Sequence, residues 1–308
     1  MRIIYNIFAV DILEVNIKKF GLIGVGGYVA PRHLKAIKDT VNELVICFDP
    51  NDSVGIIDQY FPDAEYFNNI ERFERELAKR SSDKRKKLDY LSICSPNYLH
   101  DTHIRLALSN DVNVICEKPL VLFPSNLDLL EELEVKHNNS IKTVMQLRYH
   151  PELMKLKEQL SGSTVNHKVK LTYITPRGKW YHYSWKGDES KSGGLATNIG
   201  IHLFDLLIWL FGNVLEYKVD LRSKERMKGS LILERAEVDW FLSVDRNDLP
   251  TDSKSKSLRE LVIDGERIEF SDGFTDLHTK VYEEIFKGHG LGISDARPSI
   301  ELVYKIRS

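Results

Sequence analysis

Residues 19–33, KFGLIGVGGYVAPRH, decide the fold of the first half of the chain. An apolar run typical of a buried strand ends at Gly24, and a helical pattern with proline in its first turn begins a few residues later. Glycine lets the backbone come close to a pyrophosphate, whose charge is stabilised by the N–H groups at the start of the helix. The stretch therefore predicts the strand, turn and helix that open a dinucleotide-binding domain. The residues expected to contact the cofactor here are Gly24, Gly26, Gly27 and Tyr28.

The acid at the end of the second predicted strand indicates which dinucleotide binds. Asp49 follows the apolar run Leu44–Phe48 and lies 22 residues past Gly27, close to the spacing expected for a ribose-binding acid. A carboxylate there accepts hydrogen bonds from both ribose hydroxyls and repels a 2′-phosphate, so we predict NAD rather than NADP. The alternative is that Asp49, followed by Pro50, only caps the next helix.

The region from residue 18 to residue 150 alternates strand-like and helical patterns. Continuous apolar runs at Leu88–Cys94 and Val112–Cys116 are typical of parallel strands covered on both faces, and Ile141–Leu147 is predicted as a further strand. This order predicts an N-terminal Rossmann domain, a doubly wound parallel sheet of the α/β class.

Polar residues follow two of these strands. Ser95 and Asn97 come directly after one strand, and Glu117 and Lys118 come directly after the next. Ligands of an open parallel sheet bind beyond the carboxyl ends of its strands. Both segments are therefore expected at the nicotinamide half of the cofactor.

The pattern changes after residue 150. Lys168–Ile174 alternates apolar and polar residues, further strand-like runs occupy residues 214–246, and Asp264-Gly265 is a strong hairpin signal. The second half is predicted to be α+β with an open, mostly antiparallel sheet. We accordingly divide the chain into an N-terminal extension (1–17), a dinucleotide-binding domain (18–150) and a substrate-binding and oligomerisation domain (151–308).

The bulk composition excludes some classes of partner. The formal net charge is -2, which gives no reason to expect nucleic acid or a membrane surface as a partner. The three cysteines lie in apolar runs without paired spacing, which is typical of reduced thiols. We therefore expect a cytoplasmic protein. The apolar N-terminal extension is too short for a membrane helix and lacks a signal-peptide cleavage site, and we assign it no function.

Two segments carry the predicted chemistry. A lysine beside a cofactor cation has a lowered pKa and can polarise or deprotonate an alcohol, which is the role predicted for Lys118, unless it pairs with a surface carboxylate. After a Gly-Gly turn, Asn198, His202 and Asp205 stand at i, i+4 and i+7, so a regular helix places them on one face. The alternative for His202 is a satisfied core histidine. The set lacks the paired ligands of a zinc site, so no metal is predicted.

One loop combines basic and aromatic residues. Basic groups can hold a carboxylate or diphosphate, and aromatic faces can cover a sugar or base. The alternative is a surface loop with incidental charge. We predict Arg177 and Lys191 as substrate-binding residues, and Arg148 and His150 are expected to approach the pocket. The basic residues of this loop are Arg177, Lys179, Lys186 and Lys191, and its aromatic residues are Trp180, Tyr181, Tyr183 and Trp185.

Taken together, these motifs resemble the glucose–fructose oxidoreductase/inositol dehydrogenase (Gfo/Idh/MocA) family over roughly residues 19–308. The resemblance implies a Rossmann domain followed by an α/β domain whose open sheet supports substrate binding and a dimer or tetramer. It also implies that His100 belongs to the cofactor site and that Asn198 holds the sugar. The matching motifs are Gly24-Val25-Gly26, Ser95-Pro96-Asn97 with His100, Glu117-Lys118-Pro119-Leu120, and the run from Gly193 to Asp205.

Residues 27–33, 52–55, 92–100 and 173–178 further resemble the WlbA/WbpB-type dehydrogenases of bacterial surface-polysaccharide and O-antigen synthesis. Those enzymes oxidise the C3 hydroxyl of UDP-N-acetylglucosaminuronate to a 3-keto sugar, and some regenerate NAD in place with 2-oxoglutarate. The resemblance implies that Lys118 and His202 are the catalytic pair, without deciding which is the base.

This sequence departs from the family pattern at two places. An extra glycine, Gly26 or Gly27, lengthens the turn, which puts the individual phosphate contacts in doubt. The common family aspartate is Asn198 here, and an amide cannot act as a base. Two alternatives remain open at this point: a family member acting on a free sugar or cyclitol, and a non-catalytic NAD-binding regulator.

Overall fold

A computed structural model describes residues 17–251, 256–268, 270 and 276–308. The predicted N-terminal extension, apart from Ile17, lies outside the described residues. The strands are β1 (Lys19–Ile23), β2 (Glu43–Phe48), β3 (Glu65–Phe67), β4 (Tyr90–Ile93), β5 (Asn113–Cys116), β6 (Ile141–Thr143), β7 (His167–Ile174), β8 (Val214–Arg222), β9 (Arg226–Leu233), β10 (Ala236–Ser243), β11 (Leu258–Ile263) and β12 (Glu266–Ile268). The α-helices are α1 (Ala30–Asp39), α2 (Ile57–Tyr60), α3 (Ile70–Ser81), α4 (His100–Leu108), α5 (Ser125–His137), α6 (Pro151–Gln159), α7 (Trp180–Tyr183), α8 (Glu189–Ser192), α9 (Ile201–Phe211), α10 (Leu277–Phe286) and α11 (Ile293–Arg307).

The first sheet is parallel throughout and has the strand order β3-β2-β1-β4-β5-β6. This is the order of a doubly wound dinucleotide-binding sheet, in which the crevice for the ligand lies where the strand order reverses, between β1 and β4. The central strands are almost entirely buried because helices cover both faces, which explains their unbroken apolar sequences. The predicted Rossmann fold is confirmed.

The strand predicted over Ile141–Leu147 is too long. β6 ends at Thr143, and a 3₁₀ turn follows at Gln146–Tyr149 before α6 begins at Pro151. The apolar residues after Thr143 remain buried because the turn packs inside the fold, so a run of apolar residues alone did not mark the strand end.

The second sheet has the order β12-β11-β7-β10-β9-β8 and is antiparallel except for the parallel pair β7–β10. The predicted hairpin is confirmed: Asp264 and Gly265 connect β11 to β12 with φ values of 52° and 87°. Phe204 of α9 packs edge-on against Trp240 of β10, with ring centroids 5.3 Å apart. Helix α9 therefore lies on the inner face of this sheet, as the open-sheet prediction requires.

A long apolar helical stretch belongs to the core. Residues Glu189–Phe211 are long and apolar enough to cross a membrane by length and composition only, but 78% of the most apolar window is buried inside the protein. The part at Ala196–Gly200 is a π-helix, after which α9 begins at Ile201. The wider π turn changes which side chains of this stretch share a face.

The last two helices connect the sheets. Tyr282 of α10 stacks on Phe20 of β1 with ring centroids 5.8 Å apart, and α10 packs against α1. Helix α11 packs against α9 and also contacts β6. A helix from the far end of the chain thus lies beside the predicted cofactor crevice. The predicted domain boundaries stay a prediction.

Candidate active site

The glycine-rich turn after β1 has a backbone that only glycine suits at its first position. Gly24 has φ +88°, and a Cβ placed on it would lie 2.7 Å from the backbone carbon of Cys94. The N–H of Gly27 closes the turn by donating to the carbonyl of Gly24 at 2.9 Å. Among the described residues, the N–H groups of Tyr28 and Val29 have no protein acceptor. They lie at the start of α1, where a pyrophosphate can accept from them, so this turn fits NAD.

Asp49 lies where the ribose is expected. Its Oδ2 accepts from the N–H of Gly26 at 3.0 Å, and its Oδ1 accepts from the N–H of Asn51 at 2.9 Å. Helix α2 begins only at Ile57, so Asp49 does not cap it. The carboxylate is tied to the glycine turn, which fixes it beside the cofactor crevice. Its contact with ribose remains a prediction.

The polar residues after β4 build the loop itself. The side chain of Asn97 donates to the carbonyl of Ser192 at 2.8 Å, and Ser95 Oγ lies 2.8 Å from His103 Nδ1. Both ring nitrogens of the buried His100 lie within 2.8 Å of backbone carbonyls, those of Ser95 and Pro119. His100 thus joins the loop after β4 to the loop after β5. Its predicted contact with the cofactor is untested, and its ring nitrogens already have protein partners.

Lys118 reaches the helical stretch that leads to His202. The Nζ of Lys118 donates to the backbone carbonyl of Asn198 at 2.9 Å, within one helical turn of His202. The side-chain amide of Asn198 donates in turn to the hydroxyl of Tyr181 at 2.9 Å. The amine of Lys118 is therefore held against the π-helix that precedes α9, and α9 carries His202. That these two side chains meet in one crevice stays a prediction.

Burial and nearby charges shift the pKa values of Lys118 and His202. Burial, with the charges of Arg177 and Arg32, lowers the pKa of Lys118, although Glu117 opposes the shift. Burial and the charge of Lys118 hold the pKa of His202 well below its usual value. The imidazole is consequently neutral near pH 7 and keeps an acceptor nitrogen.

A third basic side chain, Lys186, joins this group. Burial lowers its pKa to about 8, with further contributions from Lys118 and Arg177. Its Nζ lies 3.9 Å from the ring centroid of Trp185. Because these cations repel one another, the site favours an anionic ligand that lies among them. The predicted Arg177 belongs to this cluster, whereas Lys191 lies apart from it, with its Nζ 3.6 Å from Asp188 and 6.0 Å from the ring centroid of Tyr98.

Two predicted site residues have unexpected environments. Tyr28 is 84% exposed, and the guanidinium of Arg32 lies 5.8 Å from its ring centroid. Glu117 is buried and accepts hydrogen bonds from His33, His278 and the N–H of Lys118. The structure therefore gives Glu117 protein partners in the part of the crevice where a cofactor contact was predicted.

The expectation that Arg148 approaches the pocket differs from what the structure shows. Its guanidinium forms a two-pronged ion pair with Asp205, with distances of 3.0 and 2.7 Å. Its Nη1 also lies 3.4 Å from Asp295 of α11. Because the π-helix turns more slowly than an α-helix, Asp205 is directed toward this arginine instead of completing a stripe with Asn198.

Several residues of the candidate site were not predicted individually from the sequence. Tyr181 and Lys186 lie in the basic and aromatic loop, which was recognised only as a group. Arg32 has a local signal in the sequence, because it lies four residues after Tyr28 and close to the glycine turn. His278 has no local signal, because its partner Glu117 is 161 residues away in the sequence.

Comparison with known proteins shows which family this chain resembles. Residues 18–144 match the NAD-binding Rossmann-fold model of the Gfo/Idh/MocA oxidoreductase family, and residues 157–235 match its C-terminal alpha/beta domain. The WlbA (WbpB) dehydrogenase of Thermus thermophilus, solved with NAD and UDP-GlcNAcA, is 47% identical, with a TM-score of 0.92 over 95% of each chain. A second structure of that enzyme, with NAD and alpha-ketoglutarate, gives the same values. Glucose-6-phosphate 3-dehydrogenase of Bacillus subtilis (strain 168) is 22% identical over 296 residues, 93% of this chain and 72% of that protein.

Proposed function

The chain belongs to the Gfo/Idh/MocA family and is an NAD-dependent sugar dehydrogenase; from this premise we propose that it oxidises the C3 hydroxyl of UDP-N-acetylglucosaminuronate to a 3-keto sugar. The observation that carries the proposal is the cluster of Arg177, Lys186 and Arg32 around Lys118. A substrate with a carboxylate and a diphosphate supplies the negative charge that this cluster lacks. The 47% identity to an enzyme solved with UDP-GlcNAcA supports the same substrate.

His202 and Lys118 have different roles in the proposed reaction. When bound, NAD supplies the acceptor for the hydride that leaves C3. Neutral His202 has an acceptor nitrogen for the hydroxyl proton, whereas the ammonium of Lys118 offers only donors. We assign proton acceptance to His202 and stabilisation of the developing ketone oxygen to Lys118. Asn198 positions Lys118, because its carbonyl accepts from the Lys118 amine.

We further propose a setting for this reaction. The relative solved with NAD and alpha-ketoglutarate supports recycling in place: NADH and a proton reduce the keto group of 2-oxoglutarate to the hydroxyl of 2-hydroxyglutarate, and NAD is regenerated. The product would serve surface-polysaccharide or O-antigen synthesis in the cytoplasm. Exposed apolar side chains on β8 and β9, such as Leu215, Tyr217 and Ile232, support a homo-oligomer formed through the second sheet.

Native mass spectrometry with UDP-N-acetylglucosaminuronate and 2-oxoglutarate tests the substrate. We expect the sugar nucleotide to lose about 2 Da, the mass of two hydrogens, and 2-hydroxyglutarate to form in equal amount. Glucose 6-phosphate and a free cyclitol are the comparison substrates, since the Bacillus subtilis relative makes a sugar phosphate the second candidate. Turnover of either comparison substrate alone, with no binding of UDP, would contradict the proposal.

The pH dependence of substrate binding depends on Lys186. Its pKa is lowered to about 8, so the ammonium is present below that pH and is lost as the pH rises through it. We expect KM for the anionic sugar nucleotide to rise above pH 8. A hydrogen bond to a charged group contributes about 1.5 kcal/mol or more, so Lys186→Gln should raise KM about tenfold at pH 7.

Above about pH 9.5 the difference in KM between Lys186→Gln and the wild type should disappear. At that pH the Lys186 amine is neutral, so neither protein carries a positive charge at this position. Lys179→Gln is the matched control, since Lys179 is an exposed lysine of the same loop. Steady-state measurement of KM from pH 6 to pH 10 for the wild type and both variants tests this prediction. A tenfold difference that persists at high pH would show that the charge of Lys186 is not responsible.

A further inference from the structure

A chain of buried polar side chains runs behind Lys118. Glu117 Oε1 lies 3.1 Å from His33 Nε2 and 2.9 Å from His278 Nε2. His33 Nδ1 lies 2.7 Å from the hydroxyl of Tyr282, which lies 2.7 Å from Ser92 Oγ. All five residues are buried. We call Ser92, Tyr282, His33, Glu117 and His278 the Glu117 network.

One arrangement of protons satisfies the chain of contacts. Ser92 donates to the oxygen of Tyr282, Tyr282 donates to Nδ1 of His33, and the Nε2–H groups of both histidines donate to Glu117. Burial lowers the pKa of His33, so its neutral form is favoured and the arrangement needs no second charge. Burial alone would raise the pKa of Glu117, but the hydrogen bonds from His278 and His33 hold it well below the usual range. Glu117 is therefore a carboxylate at neutral pH.

The side chains of His33, Glu117 and His278 each offer one possible metal-ligand atom, and these three atoms lie within 4.8 Å of one another, as they would around a metal ion. However, both histidine nitrogens already lie at hydrogen-bond distance from one carboxylate oxygen. Two histidine N–H donors around one acceptor explain this geometry without an ion. We therefore treat the network as hydrogen-bonded.

Glu117 is the carboxylate that acts electrostatically on the basic groups of the site. Burial lowers the pKa values of Lys118, His202 and Lys186, and the charge of Glu117 raises all three. An opposite charge within about 4–6 Å typically changes a pKa by about 1–3 units. The titratable and charged groups that interact with Glu117 or with Lys118 beside it are His33, Arg32, Cys94, His100, Cys116, Arg177, Lys186, His202, His278 and Tyr282.

We infer that His33, Tyr282 and His278 are positioning residues that hold Glu117 as a fixed anion behind Lys118, where it counterbalances the cations of the site. This inference goes beyond the predicted cofactor contact of Glu117 and rests on the proposed role of Lys118 and His202. The network joins four elements: His33 lies on α1 directly after the glycine turn, Ser92 lies on β4, Glu117 directly follows β5, and α10 supplies His278 and Tyr282. The helix that receives the dinucleotide is thereby linked to the strand end that presents Lys118.

Titration of Lys118 without any sugar tests the inference apart from the choice of substrate. Competitive acetylation across a pH series, read by mass spectrometry at Lys118, gives the pH at which its amine becomes reactive. In Glu117→Gln we expect this midpoint about 1–3 pH units below that of the wild type, because the opposing charge is gone. If a sugar is turned over, the acid limb of the kcat profile should move the same way whichever of Lys118 and His202 is the base.

Tyr282→Phe is the second variant, since it keeps the ring and removes only the hydroxyl. Without that donor, His33 can place its proton on Nδ1 and turn a lone pair toward Glu117, which weakens the anion. We expect the Lys118 midpoint to fall by less than in Glu117→Gln, and kcat to fall by less than the about 10²-fold typical of losing an acid–base group, with KM for NAD unchanged. Tyr90→Phe is the matched control, because Tyr90 stacks on the same Phe20 at 5.3 Å but lies outside the network.

The results separate the two proposals. A lowered Lys118 midpoint without turnover of UDP-N-acetylglucosaminuronate supports the network and contradicts the proposed substrate. An unchanged midpoint in both variants, with thermal unfolding like that of the wild type, overturns the network. Stoichiometric zinc that co-purifies with the wild type and is absent from His278→Asn also overturns it, since the three side chains would then be metal ligands.

Discussion

Replacing Lys118 by alanine or His202 by asparagine is expected to lower kcat about 10²–10⁴-fold, the usual effect of losing a positioned acid–base group. Lys118 donates to the carbonyl of Asn198 at 2.9 Å, which holds the amine beside α9. The neutral imidazole of His202 accepts the hydroxyl proton in the proposed mechanism, and asparagine of similar reach cannot do so. NAD binding, measured by fluorescence titration, should stay within about threefold of the wild type, because the glycine turn is intact.

The pattern of the kinetic constants identifies the two roles. If Lys118 stabilises the forming ketone oxygen, Lys118→Ala lowers kcat and kcat/KM together. If His202 accepts the proton, His202→Asn also removes the acid limb of the kcat profile. His137→Asn, a change at the end of α5, is the control for the substitution itself. Near-normal turnover in both variants would mean that the reacting carbon lies elsewhere.

The features that the sequence predicts best are those encoded by short, contiguous motifs. The glycine turn, the acid after β2 and the polar residues after β4 and β5 each follow a buried apolar run. Parallel strands bring their carboxyl ends to one edge, so the topology alone collects these segments. For the same reason Lys118 could be placed at the crevice before its partner Asn198, 80 residues away, was known.

The contacts that the sequence does not predict depend on long-range packing or on irregular backbone. Tyr282 bonds to His33 across 249 residues, because α10 returns to the first sheet. No periodic pattern in α10 distinguishes a tyrosine that stacks in the core from one that also orients a histidine. Similarly, a regular helix would place Asp205 on one face with Asn198, whereas the stretch that contains Asn198 is a π-helix and Asp205 pairs with Arg148.

Among glycine-to-alanine substitutions at the described glycines, Gly24→Ala is expected to weaken NAD binding most. At φ +88° an alanine costs about 1–2 kcal/mol in backbone energy alone. Its Cβ would also lie 2.7 Å from the backbone of Cys94, which cannot rotate away as a side chain can. The turn must therefore move, and the N–H groups of Tyr28 and Val29 move with it. Two charge-assisted hydrogen bonds at about 1.5–3 kcal/mol each correspond to a Kd for NAD about 10²–10⁴-fold higher.

Thermal unfolding with and without NAD separates this effect from a general loss of stability. A ligand stabilises the folded state by RT ln(1 + [L]/Kd), so NAD that raises the Tm of the wild type should leave the Tm of Gly24→Ala nearly unchanged at the same concentration. Gly55→Ala is the matched control, because a Cβ at Gly55 meets no atom within 4 Å. It should retain the full NAD-dependent rise in Tm. An equal rise in Gly24→Ala would place the pyrophosphate away from this turn, since a turn forced apart from Cys94 cannot keep both N–H groups on the phosphate oxygens.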